Sequence, residues 1–195
     1  MQSPWPSSEG TQLHLQTDRL VLRAWRDDDL PHFAGLCADP AVMEHFPETL
    51  TREGADAAAA QIRYHFERYG YGYWALELSD GQPFIGFVGL QRISFAAPFV
   101  AEPPGFTVEI GWRLARAHWG LGLATEAATA ALEHAFSWLG LAEVVAYTVA
   151  DNTRSRNVMQ HIGMCYQPAE DFDHPRLPEG HEQRRQVLYR KMNPE

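Results

Sequence analysis

Arg116-Ala117-His118-Trp119-Gly120-Leu121-Gly122-Leu123-Ala124-Thr125-Glu126 is the stretch from which the rest of the chain is read. Upstream, Phe106 to Leu114 alternates like a strand; downstream, Thr125 to Leu139 carries the spacing of an amphipathic helix. Glycines between a strand and a helix let backbone amides approach an anion, and the helix start offers unpaired N–H groups and a partial positive charge. A diphosphate is expected here; the plainer alternative is a tight strand-to-helix connection with no ligand. A Walker loop would need Gly-Lys-Ser/Thr, and Gly122 is followed by Leu123-Ala124. A dinucleotide fingerprint wants a third Gly or Ala where Thr125 stands and an acidic residue closing the next strand, a place that neither Glu143 nor Asp151 fills.

Positive charge gathers near this turn. The chain is acidic, with a net charge of −9, yet Arg113, Arg116 and His118 flank the glycines, and Arg154 and Arg156 lie near the next helix start. The acidic total argues against nucleic acid and favours a cationic partner. No apolar run is long enough for a bilayer, and the N-terminus lacks a secretory pattern. Cys37 and Cys165 form neither a disulfide framework nor a metal spacing, which fits a reducing cytoplasm. His118, His134 and His161 share no ligand spacing, so no metal is expected. His174 and His181 read as surface residues.

The length of 195 residues suits one domain. Residues 1–12 read as a mobile tail, rich in Pro and Ser, before a domain over 13–195. Strands are expected at Leu20–Trp25, Tyr73–Leu78, Phe84–Gln91, Phe106–Leu114, Val144–Val149, Met164–Gln167 and Arg184–Lys191. Ser79-Asp80-Gly81-Gln82 marks a hairpin. Helices are expected from the Asp27-Asp28-Asp29 triplet, read as capping, to Cys37, over Thr51–Tyr69, over Thr125–Leu139 with Gly140 past its end, and over Ser155–Ile162. The aromatic set Tyr64, Phe66, Tyr69, Tyr71 and Tyr73 reads as core, with a cleft lining as the alternative. Arg92–Gly105 and Pro168–Glu182 are long loops, a length that usually serves function. The pattern gives one mixed sheet with helices on both faces.

A period of two puts Phe106, Val108, Ile110, Trp112 and Leu114 on one face of their strand, and Thr107, Glu109, Gly111 and Arg113 on the other. Glu109 is therefore a carboxylate on a strand ending at the anion site, either facing a cleft or pairing with an arginine. Asn152 suits a helix cap, a role that explains Ser155 less well.

Val108-Glu109-Ile110-Gly111-Trp112, the run His118 to Ala127, and Asp151-Asn152-x-x-Ser155-x-x-Val158-Met159-x-x-Ile162-Gly163-Met164 together resemble the GNAT N-acetyltransferase superfamily. The branch most resembled is the RimJ/RimL-like one, whose opening strand is similar to Thr17-Asp18-Arg19-Leu20-Val21-Leu22-Arg23. The resemblance spans about Leu15 to Lys191. It implies a single α+β (mixed α/β) GNAT-like domain with a mixed, mostly antiparallel sheet of about seven strands.

It also implies acetyl-CoA as co-substrate. Gly120 and Gly122 match the superfamily's diphosphate loop, with Ala117 where Gln or Arg is usual. Arg116, His118 and the backbone of Leu121, Gly122, Leu123, Ala124 and Thr125 would hold the diphosphate, Leu114 the pantetheine arm, and Asn152 the arm or a water beside it. Many relatives place a tyrosine acid where Met159 stands; in the resembled branch the Ser155 position serves the leaving thiolate instead. Glu109, directly or through water, would deprotonate the amine. The expected activity is transfer of an acetyl group to a primary amine, either a protein N-terminus or a small cationic amine. The alternatives are a non-catalytic acyl-CoA sensor and a dinucleotide-binding domain. No nucleic acid, membrane or metal is expected as partner; a homodimer stays open.

Overall fold

The computed structural model describes residues 14–101 and 106–194; the expected tail at residues 1–12 lies outside them. The elements run β1 (Leu15–Gln16), β2 (Leu20–Arg23), α1 (Asp29–Ala38), α2 (Arg52–Tyr69), β3 (Tyr73–Leu78), β4 (Gly86–Arg92), β5 (Val108–Leu114), α3 (Leu123–Ser137), β6 (Glu143–Thr148), α4 (Thr153–His161), β7 (Cys165–Tyr166), β8 (Phe172–Asp173) and β9 (Arg185–Met192). Short 3-10 turns occupy Arg116–His118 and Pro168–Glu170. The sheet order is β1-β2-β3-β4-β5-β6-β9-β7, with β8 also on β9. Two-residue strands β1 and β8 carry the number beyond the expected seven.

Every ladder is antiparallel except β5 with β6. That parallel contact is confined to Glu109 opposite Val145, whereas β4 pairs along all of β5, from Gly86 opposite Leu114 to Arg92 opposite Val108. Beyond Glu109 the two central strands part, and the gap opens toward the glycine turn. A sheet so built is not the doubly wound parallel sheet of a dinucleotide fold, which excludes that alternative.

Two apolar layers cover the sheet. On one face, α3 lays Ala127, Ala128, Ala131 and Ala135 against Val88, Leu90, Val108 and Ile110 of the sheet core. Small side chains bring this helix close to the strands. On the other face, α1 and α2 enclose Trp25, Phe33, Cys37, Ala55, Ala59, Ala75, Phe84 and Phe87. Each large side chain removed from water in these layers contributes roughly 1.5–3 kcal/mol. A third cluster, Ile93, Phe99, Val100, Val145, Phe172 and Leu188, packs residues 93–101 of the first long loop on β8 and the sheet. The second long loop is therefore not structureless: it holds the 3-10 turn and β8.

Two local expectations are corrected. Asp29 is not a cap: Asp28 sits at the α1 N-cap without a side-chain bond, while buried Asp29 accepts from Arg23 Nη1 and Nη2 at 2.8 Å and from the Arg26 amide at 2.7 Å. Glu77 completes the Arg23 environment at 2.5 Å. The glycine-turn helix starts at Leu123, one residue after Gly122, rather than at Thr125. In the aromatic set, Phe66 and Tyr71 are core as expected, Tyr64 is exposed, and Tyr73 reaches the cleft described next.

Candidate active site

A cavity of about 660 Å³ fills the gap between β5 and β6 and extends under α1 and α2. Its wall brings together Glu109, Leu114, His118, Gly120, Gly122, Leu123, Ala124, Thr125, Asn152 and Ser155, ten of the residues that the sequence marks. Arg116 and Leu121 do not reach it; both are exposed. Arg113 does line it, but from the α1 side rather than beside the glycines. Arg156 turns away, donating to Tyr189 Oη at 3.1 Å and to the Ala150 carbonyl at 2.7 Å.

At the glycine turn the backbone is shaped for an anion. Gly120 and Gly122 have φ of 73° and 75°, a left-handed geometry that disfavours any side chain. No side chain caps α3, and its first bond runs from Glu126 N to Gly122 O at 3.0 Å. Among the described residues the N–H groups of Leu123, Ala124 and Thr125 therefore meet no acceptor. Unpaired amides at a helix start are the feature that binds phosphate oxygens.

A latch holds this turn in place. Glu126 Oε1 accepts from Thr17 Oγ1 at 2.6 Å and from the Arg19 amide at 2.9 Å, and Oε2 accepts from Arg19 Nε at 2.6 Å. Arg19 Nη1 also donates to the Leu121 carbonyl at 2.9 Å. The Arg19 side chain, the amide of Arg19 and the Thr17 hydroxyl hold the Glu126 carboxyl below its usual range against the opposing effect of burial. The sequence offered the signal, since Thr17-Asp18-Arg19 and Glu126 both stood in the quoted motifs, but not their pairing.

The opposite end of the gap holds the carboxylate. Glu109 is half-buried at the cleft floor and accepts from Tyr73 Oη at 3.2 Å. Burial pushes its carboxyl above the ordinary range, while the phenols of Tyr147 and Tyr73 pull the other way. Both phenols are held well above their own ordinary value, mainly by burial and then by the Glu109 charge, so they stay donors. Gly111 makes this contact fit: a Cβ there would stand 2.9 Å from Tyr73 Oη. Neither tyrosine was singled out as catalytic from sequence; strand alternation could have placed Tyr73 on a face, but not beside Glu109.

Between the two ends, backbone direction matters. Ala115 N donates to Ile85 O beside β4 at 2.8 Å. Alternation along β5 then turns the N–H groups of Leu114 and Trp112 toward the gap. The Leu114 carbonyl accepts from Trp119 Nε1 at 2.8 Å and keeps a second lone pair. Across the gap, Asn152 is an N-cap: its Oδ1 accepts from Ser155 N at 3.1 Å and its Nδ2 donates to Thr148 Oγ1 at 2.9 Å. Ser155 lies in the first turn of α4, on the cleft wall, and Met159 is buried beneath it.

Residues 19–165 match the acetyltransferase (GNAT) domain. The chain belongs to the GNAT acetyltransferase family. The chain is 30% identical over 153 residues to the uncharacterized protein YkkB of Bacillus subtilis, covering 78% of this chain and 85% of that protein. A GNAT-family acetyltransferase from Bacillus anthracis superposes with a TM-score of 0.75 at 23% identity, over 93% of this chain and 99% of its own. The ribosomal alpha-N-protein acetyltransferase RimL, solved in complex with coenzyme A, shares the fold with a TM-score of 0.71 at 16% identity, over 90% and 95%. These two likenesses are likenesses of fold. The protein is an acyltransferase of this family. Among the described residues no group of His, Cys, Asp and Glu could hold a metal ion, and no helix is long and apolar enough to cross a membrane.

Proposed function

We propose that this protein transfers the acetyl group of acetyl-CoA to a primary amine by direct attack on the thioester. The observation that carries the proposal is a single cleft with uncapped helix amides at one end and a carboxylate raised by burial at the other. The diphosphate would lie on the amides of Leu123, Ala124 and Thr125, near His118, with the pantetheine arm along Leu114 toward Asn152.

An alkyl ammonium of pKa about 10 must lose a proton before it can attack. Glu109, directly or through a water, takes that proton, and its raised pKa makes it a stronger base than a solvated carboxylate. Acetyl-CoA supplies the electrophilic carbonyl. The N–H groups of Trp112 and Leu114 face the place where negative charge develops on the carbonyl oxygen. Ser155 Oγ hydrogen-bonds the departing sulfur. No phenol stands at Met159, so Ser155 carries that role alone. The acceptor is a protein N-terminus or a small cationic amine, drawn to an acidic chain with net charge −9. The free thiols, Cys37 buried and Cys165 exposed, fit work in a reducing cytoplasm.

The test is thiol release from acetyl-CoA with a panel of amines and short peptides, repeated with Ser155→Ala and Glu109→Gln. Release with one amine class, lost in both variants, supports the reading. Tight binding of acetyl-CoA without release on any amine would favour the sensor instead, and loss of coenzyme A binding altogether would sink it.

A further inference from the structure

Arg113 is a half-buried cation without a counter-charge among the described residues. It leaves β5 on the same face as Glu109 and lines the part of the cavity enclosed by α1, α2 and the segment between them. Its guanidinium lies 3.9 Å from the Phe46 ring centroid and 5.4 Å from that of Phe87. Its one hydrogen bond among the described residues runs from Nη1 to Cys37 Sγ at 3.3 Å, and Nε is buried without an acceptor. Burial pushes the Cys37 thiol up, so that partner is neutral near pH 7. Among the described residues no carboxylate forms an ion pair with Arg113.

The same layer shows how this fold satisfies a guanidinium whose role is structural. Arg23 is held by both oxygens of Asp29 and by Glu77. A poorly solvated ion left unpaired is costly, and a well-placed opposite charge offsets part of that cost. An arginine is always charged in water and presents a planar fork that matches a carboxylate. Two residue types on one strand face, four positions apart, have Cα atoms about 13 Å apart, a distance that both side chains shorten. The cavity runs past both of them; the intervening position is Gly111, over which the Tyr73 phenol lies, so an acceptor spanning the two would pass along that ring.

Resting on the acetyl-transfer reading, we infer that Arg113 determines acceptor specificity by pairing with a carboxylate on the same molecule that presents its amine to Glu109. The acceptor is thus an amino-carboxylate rather than a simple polycation. Such a carboxylate comes either from a small amino acid or from an acidic side chain near a peptide N-terminus. Buried Phe87 and exposed Phe46 flank the guanidinium and shield the pair in part, which strengthens it.

The experiment uses the full chain, acetyl-CoA and matched acceptors: β-alanine and γ-aminobutyrate against their amides, and peptides differing only in Glu against Gln after the N-terminal residue. Thiol release should favour the free acids in kcat/KM by on the order of 10- to 100-fold, carried by KM. The arm showing the preference identifies the source of the carboxylate. Arg113→Met should erase the preference by raising KM for the acids, and Arg113→Lys, which keeps charge but not the fork, should retain part of it. Equal use of acid and amide by the unaltered protein overturns the inference while leaving acetyl transfer intact. If no amine releases thiol, acetyl transfer itself fails, and thermal shifts then decide: a larger Tm rise with acids than with amides, lost in Arg113→Met, supports the pairing, and equal rises overturn it. Should Arg113→Met not fold, the acid-against-amide comparison on the unaltered protein with Arg113→Lys decides in the same way.

Discussion

The two walls of the cleft are built on different principles. The wall at α3 presents backbone amides, set by two left-handed glycines and fixed by the Thr17 and Arg19 bonds to Glu126. The wall at α1 and α2 presents side chains, among them Phe46, Tyr73 and Arg113, and its outer segment is tied across the cleft by exposed contacts. Arg154 reaches Glu44 at 2.6 Å and stands 4.5 Å over the Trp119 ring, and Gln183 Nε2 donates to the Glu44 carbonyl at 3.1 Å. On the proposed reading the backbone amides recognise a group that every acetyl-CoA carries, which leaves that wall little freedom to vary. Side chains held by solvent-exposed pairs, which contribute little to stability, can be exchanged to suit a different acceptor.

The sharpest way to separate the walls is Glu109→Gln. It leaves the amide wall untouched but removes the proposed base, so kcat should fall by about 10²- to 10⁴-fold. The KM for acetyl-CoA should stay as it was. A parallel loss of acetyl-CoA affinity, read by steady-state kinetics and direct binding, would mean that the walls are not independent.

Acid should weaken them in separate windows. His65 on α2 is buried; Arg92 N donates to its Nε2 at 3.2 Å and its Nδ1 meets the Tyr71 carbonyl at 2.8 Å, so it is held as a neutral ring. Burial lowers its pKa from 6.5 to about 4. Below pH 6.5 the unfolded chain binds a proton that the folded chain does not, so stability falls as pH drops from 6.5 to about 4, by about 3 kcal/mol over the whole window. Glu126 has a lowered pKa, so its contribution is full above the ordinary carboxylate value and is lost as pH falls through the depressed one. Urea unfolding between pH 7 and 4 should show the first loss, and His65→Gln should flatten it. An unchanged slope in that variant would remove His65 as the cause.

This division also explains what the sequence made legible. The amide wall is local: Gly120, Gly122 and the start of α3 lie within a few residues, so spacing and turn chemistry suffice. The strands were legible because β-branched and aromatic alternation is local too, as Tyr73–Leu78 shows by matching its expected bounds. The side-chain wall joins Cys37, Phe46, Tyr73 and Arg113 from four separate segments, and nothing local marks their meeting. Asp29 shows the same limit: three consecutive aspartates look like capping, and only the approach of Arg23 and Glu77 makes one of them a buried ion-pair partner. Arg113 was read as flanking the glycines because it is near them in sequence, yet alternation on β5 carries it to the other face.

Loosening the latch should have a smaller effect. Glu126→Gln keeps the shape but removes the charge that Arg19 and Thr17 share. The amides of Leu123, Ala124 and Thr125 then lose orientation, and KM for acetyl-CoA should rise about tenfold, as for one charge-assisted hydrogen bond, with kcat retained. A fall in kcat at unchanged KM would place the latch on the chemistry instead of the binding wall.

The smallest effect, and the most specific, should come from Tyr73→Phe. The phenol donates to Glu109 and so favours its charged form against burial. Without it the carboxyl rises further from the ordinary range, and the acid limb of kcat/KM should move to higher pH while the rate on the alkaline plateau persists. The Tyr73 hydroxyl donates to Glu109, away from the α3 amides, so acetyl-CoA affinity should not follow. Gly111→Ala presses on the same phenol through a 2.9 Å approach and should shift the limb in the same direction. A limb that stays fixed in both variants would mean that it reports a group other than Glu109, and the base would then have to be sought elsewhere along the cleft.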